Sequence, residues 1–131
     1  KINYIHTRLS VPISSDLSIG GYIPQTLNKI ISNQDYDIPK NEQLFDIIST
    51  KDVAYAYYLL GSKSLNKLDY YIGYGKPAKL SDYFLQFEKY IKGLSIDALD
   101  YSDVFSYDFF DNKLLCSDTA FIPSYNQYNF F

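Results

Sequence analysis

The stretch "FDIISTKDVAYAYYLLG", residues 45–61, constrains the fold more than any other part of the chain. An apolar extended run, "FDII", meets a polar knot, "STKD", and then a helix with apolar residues on nearly every side. Ser49 or Thr50 can cap that helix by accepting from a free backbone N–H, and Asp52 sets a carboxylate in the first turn, where such donors favour an anion. Val53, Tyr57 and Leu60 form one face, Ala54, Tyr58 and Gly61 another, with Ala56 and Leu59 between them. A helix so apolar is expected to pack on more than one side, against a sheet or a second helix.

The flanking segments extend the pattern. "INYIHTRLSV" (residues 2–11) alternates like a strand, with Ile5, Thr7 and Leu9 on one face and Tyr4, His6 and Arg8 on the other. After a loop, Ile23, Leu27, Ile30 and Ile31 have helical spacing, and Pro24 is tolerable in a first turn. "YDIP" and "LFDII", separated by "KNEQ", read as a small hairpin that must dock on something larger. "LDYYIGYG" reads as a strand ending in a glycine bend. Residues 82–92 form the clearest helix, with Ser81 as its cap, a staple of Leu80 against Leu85, and Gly93 at its end. Beyond Gly93 the pattern loosens into short apolar pieces, "FSYDFF", "KLLC" and "TAFIPSYNQYNFF". Alternating strands and helices, with no repeat and no linker, predict an α/β unit with some parallel strands. The length of 131 residues suits one domain with its own core.

Composition narrows the function classes. A net charge of −3, without a basic cluster, argues against a nucleic-acid partner, which needs a concentrated positive field. No run approaches a membrane span and no basic-then-apolar leader is visible, so no membrane partner and a cytoplasmic location are expected. Cys116 is the single cysteine, and His6, the single histidine, stands far from it in sequence, so neither a disulfide nor a metal site is expected. His6 reads as a satisfied, partly buried side chain. The fifteen tyrosines and nine phenylalanines read first as a tyrosine-biased core and surface.

Catalytic constellations are sparse. "GYGKP" (residues 73–77) lacks the spacing of a dinucleotide loop and reads as a turn. Tyr36 and Lys40 have a Y-x-x-x-K spacing, but Pro39 between them denies the shared helical face that this chemistry requires. Asp97, Asp100, Asp103, Asp108 and Asp111 are irregularly spaced and read as acidic surface.

Taken in order, the segments resemble the C-terminal part of the extended short-chain dehydrogenase/reductase family, the NAD-dependent sugar-nucleotide epimerases and dehydratases. "YIHTRLSVPISSD" resembles the family strand that ends in Arg before a Tyr-Gly-Pro turn, with Arg8 at the arginine. "FDIISTKDVAYAY" is similar to Arg-Asp-Phe-Ile-His-Val-Asp-Asp-Val-Ala, matched by Asp46, Asp52, Val53 and Ala54. "YYIGYGKPAKLSDYF" resembles the strand leading to an Asn-Ile-Gly-x-Gly turn, and "SDTAFIPSY" the late Leu-Gly-Trp-x-Pro piece. Two departures stand out: Phe45 replaces an arginine that grips the nucleotide in many members, and Ser14 and Ser15 replace the Gly-Pro of the turn.

The resemblance implies an α/β fold in which residues 1–131 supply the end of a Rossmann-like sheet and the substrate-binding lobe. The cofactor glycines and catalytic Ser/Thr, Tyr and Lys belong to the N-terminal half of the family, which is absent here. The parent enzyme is therefore expected to use NAD or NADP, while this chain alone should neither bind it tightly nor catalyse. Expected partners are a nucleotide-sugar substrate and the N-terminal Rossmann half, and the resemblance allows a homodimer. Arg8 is the first choice for an anion contact, followed by Tyr22, Lys76 and Lys79, whereas Ser49, Thr50 and Asp52 are structural. The alternative is a non-catalytic protein-interaction module on the same fold, with exposed Tyr and Phe as anchors.

Overall fold

The computed structural model describes residues 2–40, 43–66, 69–101 and 107–130. The element order is β1 (His6–Leu9), β2 (Val11–Ile13), α1 (Tyr22–Ile31), β3 (Leu44–Phe45), β4 (Ile47–Ser49), α2 (Thr50–Ser62), β5 (Asp69–Ile72), β6 (Ala78–Lys79), α3 (Leu80–Ile91), a 3-10 turn (Tyr107–Phe110) and α4 (Lys113–Thr119).

The expected first strand divides at Ser10, and its two halves join different sheets. β1 pairs in parallel with β5, His6 opposite Asp69, whereas β2 pairs in parallel with β4, Val11 opposite Ile47. The expected hairpin between "YDIP" and "LFDII" does not form. β3 instead pairs antiparallel with β6, Phe45 opposite Ala78, because a two-residue strand gains more from docking beside the glycine turn than from an isolated hairpin. Asn41 and Glu42 of "KNEQ", Leu68, and Phe105 and Ser106 of "FSYDFF" lie outside the described residues.

β4 explains why its sequence is apolar on both faces. Successive side chains of a strand point to opposite sides, and Ile47 and Ile48 enter two different cores. Ile47 joins Leu27, Leu44, Phe84 and Phe87, and Ile48 joins Ala56, Leu60, Tyr70 and Leu115. The aromatic residues are largely structural: Tyr83 stacks on Tyr128 with centroids 5.7 Å apart, and Phe87 on Phe130 at 5.9 Å, so the C-terminal segment is stitched to α3.

The helices depart from expectation in three places. Helix α3 begins at Leu80 with Lys79 at its N-cap and no side-chain capping bond, so Ser81 lies inside the first turn. Helix α2 buries Asp52, Ala56 and Leu60, while Tyr55, Tyr57 and Tyr58 are exposed, so it packs on one side rather than several. "KLLCSDT" forms α4, which ends at Ala120 in the left-handed region, φ 57°. No helix among the described residues is long and apolar enough to cross a membrane.

Candidate functional site

β2, the loop and first turn of α1, Phe45 of β3 and the first residues of α2 and α3 line an open cleft of about 670 Å³. Val11, Ile13, Ile23, Phe45 and Leu80 supply apolar wall, and Ser14, Tyr22 and Thr50 the side-chain hydroxyls among the described residues. None of the described residues lining the cleft is charged.

Local chemistry builds the cleft's loop. Asp16 Oδ1 accepts from Ser18 N at 3.0 Å and Ser18 Oγ at 2.6 Å, a side-chain turn whose hydrogen bonds hold the Asp16 carboxyl below its usual range. Gly20 then adopts φ +122°, and a Cβ there would lie 2.7 Å from Pro24 Cγ, so only glycine lets the chain fold back into α1. Tyr22 opens that helix. Its hydroxyl donates to the Asp37 carbonyl at 3.2 Å and its ring meets Phe84 edge-on at 6.0 Å.

Of the residues singled out from sequence, Tyr22 and Thr50, together with the departures Phe45 and Ser14, line this cleft and the three cations do not. Arg8 is held elsewhere: Nε donates to Asp69 at 3.3 Å, Nη1 donates to the Phe109 carbonyl at 2.6 Å, and the guanidinium lies over the Tyr71 and Phe109 rings. Lys76 borders two smaller cavities, of about 510 and 270 Å³, which share it with Gln127 and Tyr128. Lys79 Nζ sits 5.9 Å from the centre of the Tyr101 ring. Ser49 is the N-cap of α2, its Oγ accepting from Lys51 N at 3.2 Å, and Thr50 is the first helical residue.

Two buried carboxylates stand close in sequence to cleft residues, Asp46 after Phe45 and Asp52 after Thr50. Asp46 is 1% exposed and accepts from the Tyr71 hydroxyl at 2.8 Å, Gly75 N at 2.9 Å and Lys76 N at 3.4 Å. Burial pushes its carboxyl above the ordinary carboxylate range, with the hydrogen bonds pulling the other way. Asp52, also 1% exposed, accepts from Tyr74 Oη at 2.7 Å, Ser124 N at 2.8 Å and Tyr125 N at 3.0 Å. Sequence reasoning gave Asp46 no role. The available signal was a charged residue inside the apolar run "LFDII", since a buried carboxylate must find several donors.

The same arrangement explains the "GYG" turn. A Cβ on Gly73 would lie 2.4 Å from Asp46 Oδ2 and 2.5 Å from the Tyr71 ring, and Gly75 has φ +68°. Gly73→Ala is expected to lose about 1–3 kcal/mol, as for overpacking, because both neighbours are buried and tied to each other. Equilibrium urea unfolding reads the loss, and a midpoint equal to wild type would contradict it.

The remaining candidates resolve into structural contacts. His6 is exposed rather than partly buried, with Nδ1 3.4 Å from Asp69. Tyr36 donates to Glu88 at 2.9 Å, and burial with that carboxylate pushes its hydroxyl up to about 12. Burial raises the Cys116 thiol, away from thiolate reactivity. Asp97 pairs with Lys89 at 2.6 Å, and Asp111 accepts from Lys113 N at 2.8 Å. Asp103 and the Asp108 side chain lie outside the described residues, among which no group of three or more His, Cys, Asp or Glu is placed to hold a metal.

The sequence matches no protein-family model and no curated protein. Solved structures do match. The chain superposes on the Bordetella bronchiseptica enzyme WbmF in complex with NADH at TM-score 0.69 and 15% identity, covering 96% of this chain and 42% of that one. The UDP-glucose 4-epimerase of Thermotoga maritima with UDP-glucose gives 0.64 at 16% identity, covering 98% and 44%. The UDP-N-acetylglucosamine 4-epimerase of Methanobrevibacter ruminantium in complex with UDP-N-acetylmuramic acid gives 0.56 at 16% identity, covering 92% and 46%. The chain thus spans less than half the length of these proteins. It has the mixed α/β fold of the C-terminal portion of extended short-chain dehydrogenase/reductase epimerases.

Proposed function

We propose that the chain is the substrate-binding C-terminal portion of an NAD-dependent epimerase, dehydratase or reductase acting on a nucleotide sugar. The observation that carries this reading is the cleft of about 670 Å³ beside the β3–β6 ribbon, in a fold shared with enzymes solved with NAD and UDP or with UDP-glucose. Its size suits a small-molecule ligand. In this reading the lobe orients the sugar and excludes water, and hydride transfer is the chemistry that the nicotinamide supplies.

The residues present do not fit a dinucleotide cradle. Such a site needs free backbone N–H groups at a glycine turn, and here Gly75 N and Lys76 N donate to Asp46. The reading therefore assigns NAD or NADP to an N-terminal Rossmann half acting as this chain's partner in a cytoplasmic enzyme, with activity absent from residues 1–131 alone. Homodimerisation belongs to the same proposal.

Titration of the ¹⁵N-labelled chain with UDP-glucose tests it. Shift changes at Tyr22, Phe45 and Thr50 are expected. A spectrum unchanged at millimolar ligand would remove the cleft from consideration. A second reading, a protein-interaction module, is favoured by the tyrosines on α2: Tyr58 is 70% exposed, with Tyr55 and Tyr57 exposed beside it. It predicts stable association with a partner that Tyr58→Ser abolishes while UDP-glucose has no effect.

A further inference from the structure

We propose that the outer face of α2 is where two copies of the chain meet, as antiparallel helices related by a twofold axis between Tyr57 and Tyr58. The inference rests on the homodimer included in the reading above and gives it a surface. Residues 53–62 of α2 carry no charge, whereas a helix face turned to water ordinarily does. The inner side of the helix buries Asp52, Ala56 and Leu60. The outer side exposes Ala54, Tyr57, Tyr58 and Gly61, with Tyr55 at its margin. Lys51, one turn earlier, is engaged with Tyr125, its Nζ donating to the hydroxyl at 3.2 Å.

Gly61 is an independent observation. A glycine inside a helix costs stability relative to alanine, and it is retained where φ is positive or where something must come close to the backbone. Within the chain Gly61 has neither reason: its φ is not positive, and a Cβ there would meet nothing within 4 Å. Ala54 lies two turns before it on the same face. In an antiparallel pair centred between Tyr57 and Tyr58, Ala54 of one copy falls opposite Gly61 of the other, and Tyr58 opposite Tyr57. The two small pairs let the helix axes approach, and each Tyr58 packs beside the other copy's Tyr57, whose hydroxyl is fixed 3.1 Å from Thr7 Oγ1. Such a face is self-complementary, as a twofold contact must be, and the opposed helix dipoles attract. Each copy has a net charge of −3, so a face without carboxylates is where two copies repel least.

The area sets the strength. Tyr55, Tyr57 and Tyr58 are 42%, 44% and 70% exposed, and Ile122, next to the Phe121 ring that Tyr55 touches, is 75% exposed. At roughly 200 Å² for a large side chain these leave on the order of 400 Å² of apolar surface per copy, against about 800 Å² per partner in a standard interface. The dimer is therefore reversible and concentration-dependent.

Sedimentation equilibrium on the wild-type chain tests this. A mass that rises with concentration from 15.2 kDa towards twice that value is expected. Tyr58→Ser and Gly61→Gln are each expected to weaken self-association by roughly tenfold or more. In a single copy the Gly61→Gln side chain enters open space, so its urea midpoint, read on the monomer, stays at or above the wild-type value. A dimer that either variant leaves unweakened overturns the surface while the homodimer stands. A chain that stays monomeric at submillimolar concentration overturns the inference and the homodimer together, and leaves the tyrosines to a different partner. The UDP-glucose titration at Tyr22, Phe45 and Thr50 judges the cleft independently of either result. Gly61→Gln decides the matter if Tyr58→Ser fails to fold.

Discussion

Asp46→Ala lowers the unfolding free energy by about 3 kcal/mol, the expected result of orphaning a buried donor and opening a cavity at one site. The substitution strips the Tyr71 hydroxyl of its acceptor inside the protein, where Tyr71 is 2% exposed. It also frees Gly75 N and Lys76 N, which lie nearer the surface and recover part of their loss to water. Relief from desolvating a carboxylate offsets the remainder only partly. Because the Asp46–Gly75 bond holds the turn that leads into β6, the β3–β6 ribbon is expected to loosen with it. A double-mutant cycle with Tyr71→Phe measures the coupling; additive losses would show that the pair does not act as one unit.

The pH dependence has a definite sign. Burial raises the Asp46 carboxyl above its ordinary value of 3.8 in the folded protein. Between the unfolded and folded values the folded state holds the extra proton, so stability falls as pH rises. The stability of wild type relative to Asp46→Asn is therefore greatest below the unfolded value and declines as pH climbs through the folded one. Parallel pH–stability curves for the two proteins would refute the assignment.

How far this fold was legible depended on whether a signal was local. Helix α1 followed from the spacing of Ile23, Leu27 and Ile30, and β5 from "LDYYIG", because period and composition act within a few residues. The break at Ser10 was invisible, since both halves alternate alike and only their partners β5 and β4 distinguish them. The expected hairpin failed for the same reason: β3 chose a partner more than thirty positions away. The C-terminal pieces looked irregular, yet Phe121, Tyr128 and Phe130 are buried, because their register is set by α3 and β5 rather than by one another. In the site, the cations attracted attention as charges, but charge alone does not say which neighbour claims it. Arg8 went to Asp69, and of the cleft's apolar wall only Phe45 had been marked by a motif, as a departure from it.

Asp52→Ala should cost about 3 kcal/mol, more than the roughly 0.5–2 kcal/mol of an ordinary helix cap. A carboxylate in a first turn is usually exposed and acts through the helix dipole alone. Asp52 is instead buried and binds three donors from two distant segments: Tyr74 after β5, and the Ser124 and Tyr125 amides of the C-terminal stretch. Tyr74 Oη accepts in turn from Ser49 N, so the strand end, the cap and the tail close into one network. Its removal unpins residues 120–130 from α2 before it unwinds the helix. Hydrogen exchange separates the two effects: amides of Ser124 and Tyr125 are expected to lose protection first, with α2 amides following only on global unfolding. Asp52→Asn, which keeps one acceptor oxygen, should lose about half as much stability as Asp52→Ala, whereas the helix-dipole contribution is lost in both variants. Equal losses in the two would mean that the charge, not the network, holds the tail.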